Sequence, residues 1–302
     1  MRTLLVIPSK NQEQYAPTMN ESIKSLSVKP DKVLVMLDRP ALKEMNLTRK
    51  AYQDNPIVEV RVVRSIPENI GRPQMNYGVP YFCAGHMRNL AVSYALEENY
   101  DSVIFIDGDC YPEKDLIKAH NALLDTKEEK VITIGRRCEG KHAWHDQREV
   151  SKDHPVPIFS KPNTPITNEL FFVDSGVVWT CNMGINRHAI LYMVELNEML
   201  YGRRELCSSD FCGTWGGEDG FIGMEAFYTG VTILPVCDPD AGIRHVEHER
   251  PLDKYDHETF ISYLEERREE LLYLLKVHGM ECKYKYVPKD IIMGNQASNQ
   301  CG

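Results

Sequence analysis

A mostly parallel, doubly wound α/β sheet is the architecture this 302-residue chain predicts. Three observations predict it. Short β-branched runs alternate with helical stretches along most of the chain. The run Val103–Ile106 is apolar throughout, as a strand covered on both faces must be, and it leads into two carboxylates, Asp107 and Asp109, separated by Gly108. Apolar content of 42% and charged content of 26% are ordinary for a soluble domain long enough to bury a substantial core.

The elements follow in order. Thr3–Pro8 predicts a first strand, Tyr15–Leu26 a helix, and Lys32–Leu37 a second strand that ends at Asp38. Ala41–Gln53 reads as a helix, and Val58–Val63 alternates as a third strand. Glycine and proline through Pro67–Pro80 mark an irregular loop. Gly85–Glu98 is helical, with Leu90, Ala91, Tyr94 and Ala95 at helical spacing; the carboxylate-bearing strand comes next. A helix over Glu113–Leu124 and a strand at Val131–Ile134 continue the alternation, which fails between Gly135 and Asn168. A loop of that length inside a compact domain is usually functional. Val177–Asn182 predicts a strand, Arg187–Leu200 a helix, Asp219–Tyr228 another helix and Val231–Val236 the final strand. Thr259–Val277 reads as a charged amphipathic helix, with Phe260, Leu264, Leu271 and Leu275 toward the body, and the tail after Lys289 as frayed. This divides the chain into a catalytic domain over residues 1–256 and a C-terminal helix and tail over 257–302.

A net charge of -9 argues against a general polyanion binder. The N-terminal apolar run is four residues long, too short for a signal-peptide core, and no stretch approaches the roughly 18–20 apolar residues of a membrane span. The expectation is a cytoplasmic chain, or a catalytic fragment separated from an anchor. Nine cysteines without a repeated CxxC spacing imply neither a zinc knuckle nor a disulfide framework. Cys207 and Cys212 therefore read as buried free thiols of a reducing compartment.

Three constellations carry chemistry. Asp107 and Asp109 stand where open α/β sheets bind their ligands, beyond the carboxyl ends of the strands. Two hard oxygen donors there suit an octahedral divalent cation that keeps positions open for phosphate. In TWGGEDGF, Thr214–Phe221, two glycines permit a tight turn, and Glu218 and Asp219 follow at a helix start, where the macrodipole favours ionised carboxylates. Such a carboxylate beside a hydroxyl serves as a general base, and Trp215 offers a flat apolar platform for a sugar face. In GIRHVEHER, Gly242–Arg250, His245 supplies an imidazole to a borderline cation such as Mn²⁺, while Arg244 and Arg250 suit pyrophosphate oxygens.

With these residues the chain resembles the metal-dependent GT-A glycosyltransferases, which move a sugar from a nucleotide diphosphate. Asp107–Asp109 is similar to their DxD motif. Trp215–Asp219 is similar to the acceptor and base motif of inverting members, the β-galactosyltransferase and chondroitin-synthase branches included. Ile243–His245 resembles the late metal-binding histidine segment of those enzymes. Cys181–Ile190 resembles the strand-to-helix segment that shapes the donor pocket, and Gly85–Val92 the Arg-Asn segment behind the nucleotide, which places Arg88 there. The likeness spans most of Thr3–Arg250. It departs at Gly242, which replaces a possible further ligand, and in the long middle loop.

The resemblance implies a nucleotide-binding half over residues 1–109 and an acceptor-binding half over 110–256. It places Pro8, Ser9 and Asp38 around the nucleoside and Asp107 toward the ribose or a metal-bound water. Asp109 and His245 would hold Mn²⁺ or Mg²⁺, Glu218 would orient the acceptor, and Asp219 would deprotonate it. Arg244 would face the departing diphosphate, and the donor would be a uridine diphosphate sugar.

Other readings differ in what they need. A nucleotidyltransferase needs a glycine-rich loop after the first strand, and Pro8–Tyr15 has none. A degenerate carbohydrate-binding module needs the loss of a ligand or base, yet Asp109 and Asp219 are both present. The acceptor stays open: a glycan, a protein side chain, a small molecule, or a hydroxymethyl pyrimidine in DNA as in phage-type DNA glycosylation. Arg136–Lys161, with six positive and four negative charges around Trp144, reads first as a mixed-charge solvated loop and second as a tract that keeps the nucleic-acid acceptor in view.

Overall fold

The computed structural model describes residues 1–64, 83–127, 129–139, 178–212, 217–236, 238–246 and 257–283. The elements run β1 (Thr3–Ser9), α1 (Ala16–Ser25), β2 (Lys32–Asp38), α2 (Leu42–Tyr52), β3 (Val58–Val63), α3 (Ala84–Glu97), β4 (Ser102–Ile106) and β5 (Cys110–Pro112). They continue with α4 (Leu116–Leu124), β6 (Val131–Ile134), β7 (Arg137–Glu139), β8 (Asn182–Asn186) and α5 (Arg187–Tyr201). The last are α6 (Glu218–Thr229), β9 (Thr232–Pro235), β10 (Ile243–His245) and α7 (His257–Val277).

Seven strands form one sheet in the order β3-β2-β1-β4-β8-β6-β9. Pairings are parallel except those of β8, which runs antiparallel to both β4 and β6. The period-2 alternation of side chains sorts each strand between two cores. Leu4, Val6, Val103 and Phe105 point to one face, against residues of α3, α5 and α6. Leu5, Ile7, Ile104 and Ile106 point to the other, against α1 and α4. Because both faces are covered, these strands read as continuous apolar runs. In α7, Leu271 and Leu275 are buried in the first core, so the C-terminal helix shares its packing. No helix among the described residues is long and apolar enough to cross a membrane.

Two expectations require correction. The strand expected at Val177–Asn182 lies further on, at Asn182–Asn186. Val178 is a buried core residue outside it. The sequence NMGIN carries little β-branched signal, and its place in the sheet is decided by close approach instead. A Cβ added at Gly184 would stand 2.4 Å from Thr133 Oγ1 and 2.7 Å from His120 Nδ1. That ring is fully buried and bonds Thr133 Oγ1 at 2.7 Å and Asn182 Oδ1 at 2.8 Å. Burial lowers its pKa to about 4, so it stays neutral in this network. Gly184→Ala should therefore lower stability by about 1–3 kcal/mol through overpacking, measured by urea denaturation. An unchanged midpoint would show that the strand accommodates the methyl group.

The second correction concerns the cysteines. Cys83 and Cys212 form a disulfide, whereas no disulfide was expected and Cys212 read as a free thiol. Their separation of 129 residues leaves no local spacing signal. Cys110, Cys181 and Cys207 are buried free thiols, as Cys207 was expected to be.

Candidate active site

β1, β2 and β4 run parallel, so Ser9, Asp38 and Asp107 arrive at one edge of the sheet. Pro8 and Ser9 close β1, and Gly108 in the turn after β4 lies close to Ser9 and Gln12. A Cβ added at Gly108 would meet Gln12 Oε1 at 2.3 Å and Ser9 Oγ at 3.2 Å. Asp38 is buried at the end of β2, with Oδ2 3.1 Å from Lys10 Nζ and Oδ1 3.1 Å from Arg39 Nε. Lys10 and Arg39 carry no motif that marks them in the sequence. Arg39 and Asn11 hold φ of 41° and 54°, a left-handed conformation uncommon for residues with a side chain. Strained backbone of this kind clusters at ligand sites.

A small three-stranded sheet, β5-β10-β7, assembles the next group. It was not expected from the sequence, because each strand is three residues long and gains its pairing only from distant partners. The antiparallel β5–β10 register sets His245 opposite Cys110, and the Val246 amide donates to the Asp109 carbonyl at 2.9 Å. Asp109 Oδ2 thereby lies 3.6 Å from His245 Nε2, with both side chains largely buried. Donor atoms of Asp109, Cys110 and His245 all lie within 4.8 Å of one another. A carboxylate and an imidazole so placed fit the mixed oxygen and nitrogen coordination of a borderline divalent cation.

Two residues expected near a cation or diphosphate are not part of this group. Asp107 turns to Arg88, accepting from Nη2 at 2.7 Å. Arg244 alternates to the opposite face of β10 from His245, is exposed, and donates from Nε to Glu113 Oε1 at 3.1 Å. Arg250 and Trp215 lie outside the described residues.

Arg88, on α3, organises the third group. Its guanidinium is almost wholly buried and donates from Nη1 to Glu218 Oε1 at 2.9 Å, while Nη2 holds Asp107. The neighbouring Asn89 bonds the backbone of Leu206 and Cys207, and the Cys83–Cys212 disulfide joins the start of α3 to the same stretch. Thus α3 is tied at three points to the segment that leads into α6. Gly217, with φ of 98°, caps α6 and turns the chain so that Glu218 and Asp219 begin the helix.

The two acidic residues are not equivalent. Glu218 is engaged by Arg88. Asp219 accepts from the Gly220 amide at 2.8 Å and keeps part of its surface open. Burial first, and the Glu218 charge second, push its carboxyl up to about 7, against the opposing influence of Arg88 and the Gly220 amide. Burial and the Glu218 charge thus work against the ionised form that a helix start favours. A carboxyl poised near neutrality is matched to general-base work. Arg88→Met would leave Asp107, Glu218 and Asp219 without intervening positive charge. Stability should fall by about 3–5 kcal/mol, the scale of breaking a buried ion pair, as measured by urea unfolding. An unaltered unfolding curve would mean that Arg88 does not hold this group together.

No protein-family model matches the sequence, and no curated protein does. Solved structures do match. S. aureus TarS in complex with UDP-GlcNAc superposes with a TM-score of 0.61 at 16% identity, over 94% of this chain and 68% of that one. GalNAc-T7 with UDP, GalNAc and Mn²⁺ gives 0.53 at 13%, over 91% of this chain and 50% of its own. Glucosyl-3-phosphoglycerate synthase from Mycobacterium tuberculosis, with Mn²⁺, UDP and glucosyl-3-phosphoglycerate, gives 0.50 at 14%, over 93% and 81%. These are GT-A glycosyltransferases. The chain has the GT-A fold. At such identities the likeness establishes architecture, and the residues above carry the chemistry.

Proposed function

We propose that this GT-A chain is a divalent-cation-dependent, inverting glycosyltransferase that moves a sugar from a uridine diphosphate sugar to an acceptor hydroxyl. One observation carries the reading: a buried Asp109–His245 pair and the acidic group that Arg88 ties together, Asp107 and Glu218 with Asp219 beside them, converge at the carboxyl edge of the sheet. The matching structures hold UDP-GlcNAc in one case and UDP with Mn²⁺ in two others, which supports the donor class and the cation.

In this reading Pro8, Ser9 and Asp38 border the nucleoside, and Asp107 faces the ribose from its place on Arg88. Asp109 and His245 would hold Mn²⁺ or Mg²⁺, which when bound would supply Lewis acidity toward the diphosphate leaving group. Glu218, fixed by Arg88, positions the acceptor. Asp219 takes the hydroxyl proton as the acceptor oxygen bonds to the anomeric carbon and the bond from that carbon to the diphosphate oxygen breaks. Attack from the opposite face inverts the configuration. Trp215 supplies the platform for the sugar, and residues 110–256 the acceptor side. Arg244, on the far face of β10, takes no part in this scheme.

The test is cation-dependent release of UDP from a panel of uridine diphosphate sugars, with and without candidate acceptors. Hydroxymethylated DNA belongs among those acceptors. Release that stops in chelator and resumes with Mn²⁺ supports the proposal. Glycan binding without release from any donor would instead make the chain a binding module. Tighter cation-dependent binding of guanosine or cytidine diphosphate would overturn the donor assignment.

A further inference from the structure

The proposed cation centre contains one donor that a carboxylate–imidazole site does not require. Cys110 directly follows Asp109, is fully buried, and faces His245 across the β5–β10 pair. Directly opposed residues in an antiparallel pair place their Cβ atoms about 4.5–5.5 Å apart, so the register itself brings thiol and imidazole together. Cys110 Sγ lies 3.4 Å from Asp109 Oδ1, and Asp109 Oδ2 lies 3.6 Å from His245 Nε2. Neighbouring donors around a tetrahedral zinc ion, with bonds near 2.0–2.3 Å, are separated by roughly 3.3–3.8 Å. The two contacts use different oxygens of Asp109, and one donor atom from each of Asp109, Cys110 and His245 lies within 4.8 Å of the others, close enough for a single ion to draw them in.

We propose that Cys110 is a third protein ligand of the centre and that the chain binds a thiophilic divalent cation of the zinc class more tightly than Mn²⁺ or Mg²⁺. The inference rests on the reading of Asp109 and His245 as a cation site. Soft thiolate selects zinc-like ions, whereas Mn²⁺ and Mg²⁺ prefer oxygen-rich octahedral surroundings. As the sulfur–metal bond forms, the thiol hydrogen leaves as a proton to the buffer and the sulfur lone pair becomes the ligand. Asp109, Cys110 and His245 would then supply three protein ligands, the number typical of a zinc site that keeps a position open.

Co²⁺ titration of the full chain in thiol-free buffer tests the proposal, because cobalt reports its ligands by absorption. The expected result is a near-ultraviolet sulfur-to-cobalt charge-transfer band together with tetrahedral visible bands, both removed when Zn²⁺ is added. Cys110→Ser should abolish the charge-transfer band and weaken Zn²⁺ binding by roughly 10- to 100-fold, the scale on which even outer ligand partners act. Mn²⁺ binding by calorimetry should be preserved in that variant, which also shows that it folds. Cys282→Ser, which removes an exposed thiol, should keep the band. Co²⁺ binding to the wild type without a charge-transfer band, or a band that survives in Cys110→Ser, would overturn the role of Cys110 while leaving the cation site in place. Failure of Co²⁺, Zn²⁺ and Mn²⁺ all to bind would remove the cation site itself and this inference with it.

Discussion

Asp219→Asn should lower turnover by roughly 10²- to 10⁴-fold, the usual contribution of a positioned general base, while leaving UDP affinity close to wild type. The substitution keeps the shape of the side chain and its contact with the Gly220 amide, but it removes basicity. The separation of effects follows from position: the carboxyl acts on the acceptor, so its loss falls on the rate and spares donor binding. Proton uptake needs the ionised form. With the carboxyl pushed up to about 7, wild-type kcat/KM should fall as pH drops below about 7 and level off above it. That limb should be missing from the residual activity of Asp219→Asn. Stopped assays at saturating acceptor, combined with calorimetry against UDP, measure both halves. Near-wild-type turnover in the variant, or a product that keeps the donor's anomeric configuration, would defeat the assignment. Glu218→Gln should differ in kind, weakening acceptor affinity as well as rate, because Glu218 is held by Arg88 as a positioning group.

Asp109→Ala should abolish cation-stimulated release of UDP, a loss of about 10³-fold if the cation contributes several kcal/mol at the transition state. It should also weaken cation binding measured directly by calorimetry. Asp107→Ala should leave cation binding largely intact, because Asp107 is turned to Arg88 and stands outside the Asp109–Cys110–His245 group. The two aspartates of one short motif therefore make opposite predictions. Full activity of Asp109→Ala in chelator would sink the metal assignment. Equal loss of cation affinity in both variants would show that Asp107 joins the ligand set.

The alternation of strand and helix was legible because each main-sheet strand except β8 carries its own apolar run or, in β3, its own alternation, and each helix its own periodicity, signals that act over a few neighbouring residues. The aspartates after β4, the acidic pair at the start of α6 and His245 were legible for the same reason: each is a short motif beside a recognisable element. Partnership was not. Arg88 reaches Glu218 across 130 positions of sequence, Cys83 reaches Cys212 across 129, and β5, β7 and β10 are too short to announce their pairing. Only the tertiary structure turned Asp107 to Arg88, set Cys110 against His245 and turned Arg244 away from them. Burial together with the Glu218 charge lifted the Asp219 carboxyl to about 7, where helix position alone favoured the ionised form. The physical reason is common to these cases. Local backbone preference and apolar period are properties of a segment, whereas register, desolvation and charge pairing belong to the contact between distant segments and exist only once the chain has closed.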